Sequence, residues 1–190
     1  FLDPVTQSDG ETAYHIVTSP LENSFTGAFA VDSDGNIWYT NWQFRQGGTL
    51  VKFDQKKYFE ASALAKDAGV PLFDFIIVFQ LPSMNAPNGI SVGNDGIVWI
   101  ADTSSSFFYS FDPFTEKFTK YTTSKPNISS YGNTTGLIKT PVSGPYWTDF
   151  DQKGRLVFNE QSANRIGVFD PSSESLVEYN VPSKNPIWAD

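Results

Sequence analysis

A repeat of 58 residues constrains this chain more than any other feature. Phe-Asp pairs end at Asp54, Asp112 and Asp170, two equal steps of 58 residues. Each pair closes a stretch of the same design. A Gly near the start (Gly27, Gly89), or Trp147 in the third copy, leads into an alternating apolar segment. A turn comes next, at Asp34-Gly35, Asp95-Gly96 or Lys153-Gly154. Three residues after that glycine stands Trp38, Trp99 or Val157, and the Phe-Asp pair ends the next segment. Tyr121 and Tyr179 then occur nine residues beyond Asp112 and Asp170.

Each copy therefore reads as four short strands. Asp-Gly between alternating segments is a strong hairpin signal. Three apolar strands followed by one that alternates with polar residues, as in Phe118 to Thr122, is the pattern of a propeller blade. The predicted fold is all-β, a β-propeller of four-stranded antiparallel blades. About three blades are present, as part of a six- or seven-bladed ring. A blade typically needs roughly 40–50 residues, so two insertions are expected. One, at 55–78, carries a short helix near 58–69, with Ala61, Leu64, Ala65 and Ala68 on one face and Gly69 and Pro71 as the stop. The other is a Ser/Thr/Asn/Gly-rich loop at 124–144.

The expected organisation is one partial domain over 1–190. Residues 12–24 form the outer strand of a preceding blade. Blades are expected at 25–83, 84–142 and 143–183, and 184–190 begin another, because Pro186-Ile187-Trp188 matches Pro145-Tyr146-Trp147. Three blades cannot close a ring. The expected partners are therefore the remaining blades of a longer chain, favoured because both ends stop in mid-repeat, or a second copy.

Composition removes several functions. There is no Cys and a single His, His15. Disulfide frameworks, thiol nucleophiles and multi-histidine metal sites are excluded. Thirteen basic against 21 acidic residues, net charge −8, disfavour nucleic acid and anionic membranes as partners. The longest apolar run, Phe75 to Phe79, is far below the roughly 20 residues of a spanning helix. Residues 1–4 open with neither a basic nor an apolar leader region, as in a mature or truncated chain.

Chemistry is expected where inner strands meet the central channel. The residue before the first strand and the residue closing the second share one rim, since the two strands are antiparallel neighbours. The first set is Thr26, Asn88, Tyr146 and Ile187; the second is Asn41, Asp102 and Glu160. Such oxygen ligands can hold a hard cation, Mg or Ca. They equally suit hydrogen bonds to strand ends. The metal candidates are Asn88, Asp102 and Glu160. Asn41, Trp42 and Tyr146 are the ligand-binding candidates, Trp42 because it adjoins Asn41 and would project at the mouth. His15, in an outer strand, is read as a surface or packing residue.

The stretch Val157-Phe158-Asn159-Glu160, with Asn164, Ile166 and Gly167 after it, resembles the blade signature of the virginiamycin B lyase (streptogramin lyase) family. The copies at 27–54 and 89–112 are looser versions. The resemblance implies a seven-bladed propeller. It also implies elimination at a depsipeptide ester, using Mg and histidines that open the first strand of a blade. Glu160 matches the family's glutamate, whereas Asn88, Tyr146 and Ile187 stand where the histidines would be. Ala86-Pro87-Asn88-Gly89-Ile90 with Trp99 to Asp102 is similar to gluconolactonase- and NHL-type propellers, which implies Asn88 as a metal ligand. Two sequons, at Asn127 and Asn133, mark the 124–144 loop for glycosylation. The expected function is a streptogramin-lyase-like extracellular or cell-surface propeller acting as a binding or scaffold module, with no catalytic residue assigned. The alternative is a divalent-metal-dependent lyase or lactonase working at the channel mouth.

Overall fold

Three turns of one design start the three sheets. In each, a glycine with positive φ (Gly35 86°, Gly96 80°, Gly154 74°) donates its amide to the carbonyl three residues back, at Asp32, Gly93 or Asp151. That left-handed conformation is natural only for glycine. Asp32 and Asp151 also accept their own turn's amides, from Asn36 and Arg155. Burial pushes the Asp32 carboxyl up, but hydrogen bonds from Trp38 and Asn36 outweigh it and hold its pKa below the usual value.

In the computed structural model, Pro20 and residues 24–44, 46–65, 70–126 and 142–182 are described. The first sheet contains β1 (Phe25–Val31), β2 (Ile37–Gln43), β3 (Gly47–Phe53) and, after α1 (Gln55–Ala65) and a 3-10 turn, β4 (Ile76–Gln80). The second holds β5 (Pro87–Val92), β6 (Val98–Asp102), β7 (Phe107–Asp112) and β8 (Lys117–Thr122). The third holds β9 (Pro145–Phe150), β10 (Leu156–Glu160), β11 (Arg165–Asp170) and β12 (Ser175–Asn180). Each sheet is antiparallel in sequence order. Inner strand β1 lies beside β5, and β5 beside β9. This is the predicted all-β architecture of propeller blades.

The core lies between the sheets. Trp38 and Leu50 of the first meet Ile90, Val98, Ile100 and Phe111 of the second. Trp99 and Phe108 of the second meet Leu156, Phe158 and Phe169 of the third. Alternation along one strand thus sends Trp99 to one neighbour and Val98 and Ile100 to the other. Tyr121 stacks on Phe108 and packs on Phe169, with ring centroids 5.2 and 4.8 Å away.

The helix starts earlier than its sequence pattern suggested, at Gln55 rather than near 58. Asp54 is the reason: its carboxylate accepts the Lys57 amide, capping the first turn. In the other copies Asp112 and Asp170 cap the turns between the third and fourth strands instead. The buried contact of α1 is also different. Tyr58 packs edge-on against Phe53 and Phe75, whereas Leu64 is 84 % exposed. The outer strand expected at 12–24 lies almost wholly, and residues 184–190 lie wholly, outside the described residues, as do His15, Gly69 and both sequons. Among the described residues no helix is long and apolar enough to cross a membrane.

Candidate functional site

A β-bulge recurs where each inner strand begins. Thr26 pairs with Asn41 and Phe29 with Tyr39; Pro87 pairs with Asp102 and Gly89 with Ala101; Pro145 pairs with Glu160 and Thr148 with Phe158. One extra residue is inserted each time. A bulge re-aims side chains and often adjoins a site. This register equates Gly27, Asn88 and Tyr146. The sequence expectation had put Thr26 at that place, so it is corrected by one residue. Asn88 is half-buried and Tyr146 is 37 % exposed at the rim.

The residues closing the second strands are buried and hydrogen-bonded within the fold. Asp102, 1 % exposed, accepts the amides of Asn85 and Ala86 at 3.0 and 2.7 Å, and so fixes the segment leading into β5. Asn41, fully buried, donates to Ser24 Oγ and to the Phe25 carbonyl. Glu160, also fully buried, receives Arg165 Nε and Nη2 at 3.1 and 2.5 Å. Arg165 in turn donates to the Ser124 carbonyl at 2.8 Å, and Glu178 accepts the Ser124 amide. This clamp ties the end of the second sheet to the third. Burial raises the Glu160 pKa to about 7, against the pull of Arg165.

These partners place the candidate residues within the fold. Asp102 accepts backbone amides and Glu160 Oε2 accepts an arginine, while Glu160 Oε1 is buried without a hydrogen-bond partner among the described residues. Among the described residues no three His, Cys, Asp or Glu side chains converge as a metal group. Asn41 offers no free surface to a ligand. Neither does Trp42, which is 7 % exposed and packs on Phe25 with ring centroids 5.1 Å apart.

What the inner strands do present is a groove of about 300 Å³ running between β1, β5 and β9. Its walls include Phe29, Gly89, Ser91, Trp147, Thr148 and Asp149. Phe29 is 70 % and Trp147 62 % exposed. Sequence reasoning missed this groove. One signal was available: Pro-Tyr-Trp at 145–147 replaces the Pro-Asn-Gly of 87–89, an indole in place of a glycine.

No protein-family model matches the sequence, and no curated protein matches it as a relative. Solved structures do resemble the fold. A catalytically inactive virginiamycin B lyase from Staphylococcus aureus, solved with quinupristin, aligns over 90 % of this chain with a TM-score of 0.61 and 20 % identity. A streptogramin B lyase structure aligns over 89 % with a TM-score of 0.60 and 19 % identity. A luciferin-regenerating enzyme aligns over 87 %, with a TM-score of 0.54 and 14 % identity. The chain spans a little under half of the two lyases, 46 % and 45 %. Four-stranded blades in sequence order, packed through aromatic faces and matched over nine-tenths of the chain to these lyases, give this chain a virginiamycin B lyase-like propeller fold.

Proposed function

We propose that the chain is a streptogramin-lyase-like, extracytoplasmic propeller that acts as a binding or scaffold module through its channel face. The observation that carries this reading is that Asp102 accepts the Asn85 and Ala86 amides and Glu160 Oε2 accepts the Arg165 guanidinium. A metal-dependent lyase or lactonase needs free oxygen ligands and a proton-transfer group at the mouth. The equivalent positions at the rim hold Gly27, Asn88 and Tyr146. The sequons at Asn127 and Asn133 support placement outside the cytoplasm. The open sheet faces support partners of the same kind, further blades of a longer chain or a second copy.

Calorimetric titration with Mg and Ca separates this reading from the enzyme. The expected result is no saturable heat. Divalent binding that disappears in both Asn88→Ala and Glu160→Gln would overturn the binding-module reading and restore the metal-enzyme alternative.

A further inference from the structure

β4 is the outermost strand of the first sheet, and β3 is its only strand neighbour among the described residues. Hydrogen bonds fix which of its backbone groups stay free. The Asp54 amide donates to the Phe75 carbonyl at 2.9 Å, and the Leu81 amide donates to the Gly48 carbonyl at 3.0 Å. The register between these two points is regular. Antiparallel pairing alternates, so Ile77 and Phe79 bond to β3, while the N–H and C=O groups of Ile76, Val78 and Gln80 point away from it. Such an edge is a template for another strand.

The same alternation applies to β8 and β12, where the Thr123 and Val181 amides donate to Ser106 and Asn164. The middle outward residue stands opposite Val51 in β4, Tyr109 in β8 and Gly167 in β12, so Val78, Lys120 and Glu178 are equivalent positions. Charges guard two of these three edges. Lys117 and Lys120 lie on β8 and Glu178 lies on β12, whereas β4, Ile76-Ile77-Val78-Phe79-Gln80, carries none. Natural sheets use edge charges against unwanted pairing, and β4 omits this device. Its side chains divide by alternation. Phe79 packs on Trp38 and Phe111, toward the second sheet, and Val78 lies on the opposite face. Ile77 and Val78 are 55 % and 43 % exposed.

We infer that β4 is a pairing edge for a second copy of this chain, with two β4 strands running antiparallel about a two-fold axis at Val78. The charges choose the occupant. About that axis Val78 meets Val78, Ile77 meets Phe79 and Ile76 meets Gln80, while Asp74, the nearest acid in sequence, meets Pro82. No like charges stand opposite each other. The equivalent pairing of β8 would set Lys120 against Lys120, and that of β12 Glu178 against Glu178, which is unfavourable. An isologous contact of this kind closes at two copies. It uses the outer edge, so it leaves the channel face free and goes beyond the binding-module reading. A pair of five-residue strands is a small interface, so a Kd on the order of 100 μM is expected.

The chain has no Cys, so single cysteines report the contact. Val78→Cys and, on an exposed position of β8, Thr119→Cys are treated with a short bismaleimide at protein concentrations from about 10 μM to about 1 mM. The expected result is a crosslinked dimer that grows with concentration and is about tenfold stronger for Val78→Cys, because pairing holds the two thiols within reach of the linker. Adding Gln80→Pro removes one outward N–H from each strand, at an edge position where proline is tolerated. It should abolish the excess with circular dichroism unchanged. Hydrogen exchange of the unaltered chain needs no substitution. The amides of Ile76, Val78 and Gln80 should gain protection severalfold as concentration rises, and that of Lys120 should not. Equal crosslinking at the two cysteines, an excess that survives Gln80→Pro, or no protection of these amides would overturn the inference. So would protection already complete at the lowest concentration, the sign that another segment of the same chain covers the edge.

Discussion

Glu160 has two oxygens, and Arg165 holds only one of them. Oε2 takes the Arg165 guanidinium, while Oε1 is buried without a hydrogen bond among the described residues. Desolvation therefore outweighs the ion pair, and the folded-state pKa rises to about 7 from 4.5. A raised carboxyl pKa means that the folded chain binds the proton more tightly than the unfolded chain. Stability then falls as pH rises from about 4.5 to about 7. Glu160→Gln is neutral throughout and lacks this contribution. Relative to wild type it should gain about 1–3 kcal/mol between pH ~5 and pH ~7.5. Denaturant melts of both proteins at each pH give the comparison, and parallel pH dependence would show that the carboxylate is not strained. The sequence marked Glu160 by its place at the end of β10, but it could not show which neighbour the side chain meets. Strand alternation assigns a face of the sheet; it does not distinguish an arginine across the ladder from a cation at the axis. Ser91 and Thr148 were silent in the sequence for the same reason.

At the scale of elements, the repeat was readable because each part has its own chemical signature. Glycine permits the positive-φ turn, Trp38 and Trp99 fill the space between sheets, and the aspartate of each Phe-Asp pair caps the adjoining turn or helix. The helix start was misplaced because Asp54 looks like Asp112 and Asp170 in sequence, yet caps a helix rather than a turn. The rim residue of the first copy was misplaced by one because Gly27 and Gly89 look equivalent by type, while the bulged ladder equates Gly27 with Asn88 in position. Gly89 is where two inner strands touch, so Gly89→Ala should be far worse than an ordinary glycine replacement. The Cβ meets backbone rather than a side chain that can swing aside. A loss of about 3 kcal/mol or more is expected, against about 1 kcal/mol for Gly96→Ala, where only the positive φ is strained and nothing lies within 4 Å. Urea melts of the two variants measure the difference, and equal losses would mean that β5 and β9 are not held so closely.

Among the described residues, two faces at opposite ends of the row of sheets expose large apolar side chains. Tyr179 is the positional equivalent of Tyr121, nine residues after its Phe-Asp pair. Tyr121 stacks on Trp99 and Phe108 and packs against Phe169 of the next sheet. Tyr179 is 57 % exposed, and Val177 on the same strand is 49 % exposed. At the other end, Phe29 is the ladder equivalent of Ile90. Ile90 is 5 % exposed between sheets, and Phe29 is 70 % exposed. Apolar patches of this kind mark interfaces or aggregation hazards, and here they match the two halves of the interface already present between neighbouring blades. If the proposed partners are further blades of the same design, the exposed side chains at Tyr179 and Phe29 are the surfaces they would cover. Light scattering coupled to size-exclusion chromatography of residues 1–190 tests this most directly. The expected result is a dimer or larger species, or loss to aggregation, with no stable monomer at 21.1 kDa. A monodisperse 21.1 kDa monomer that unfolds cooperatively would contradict it.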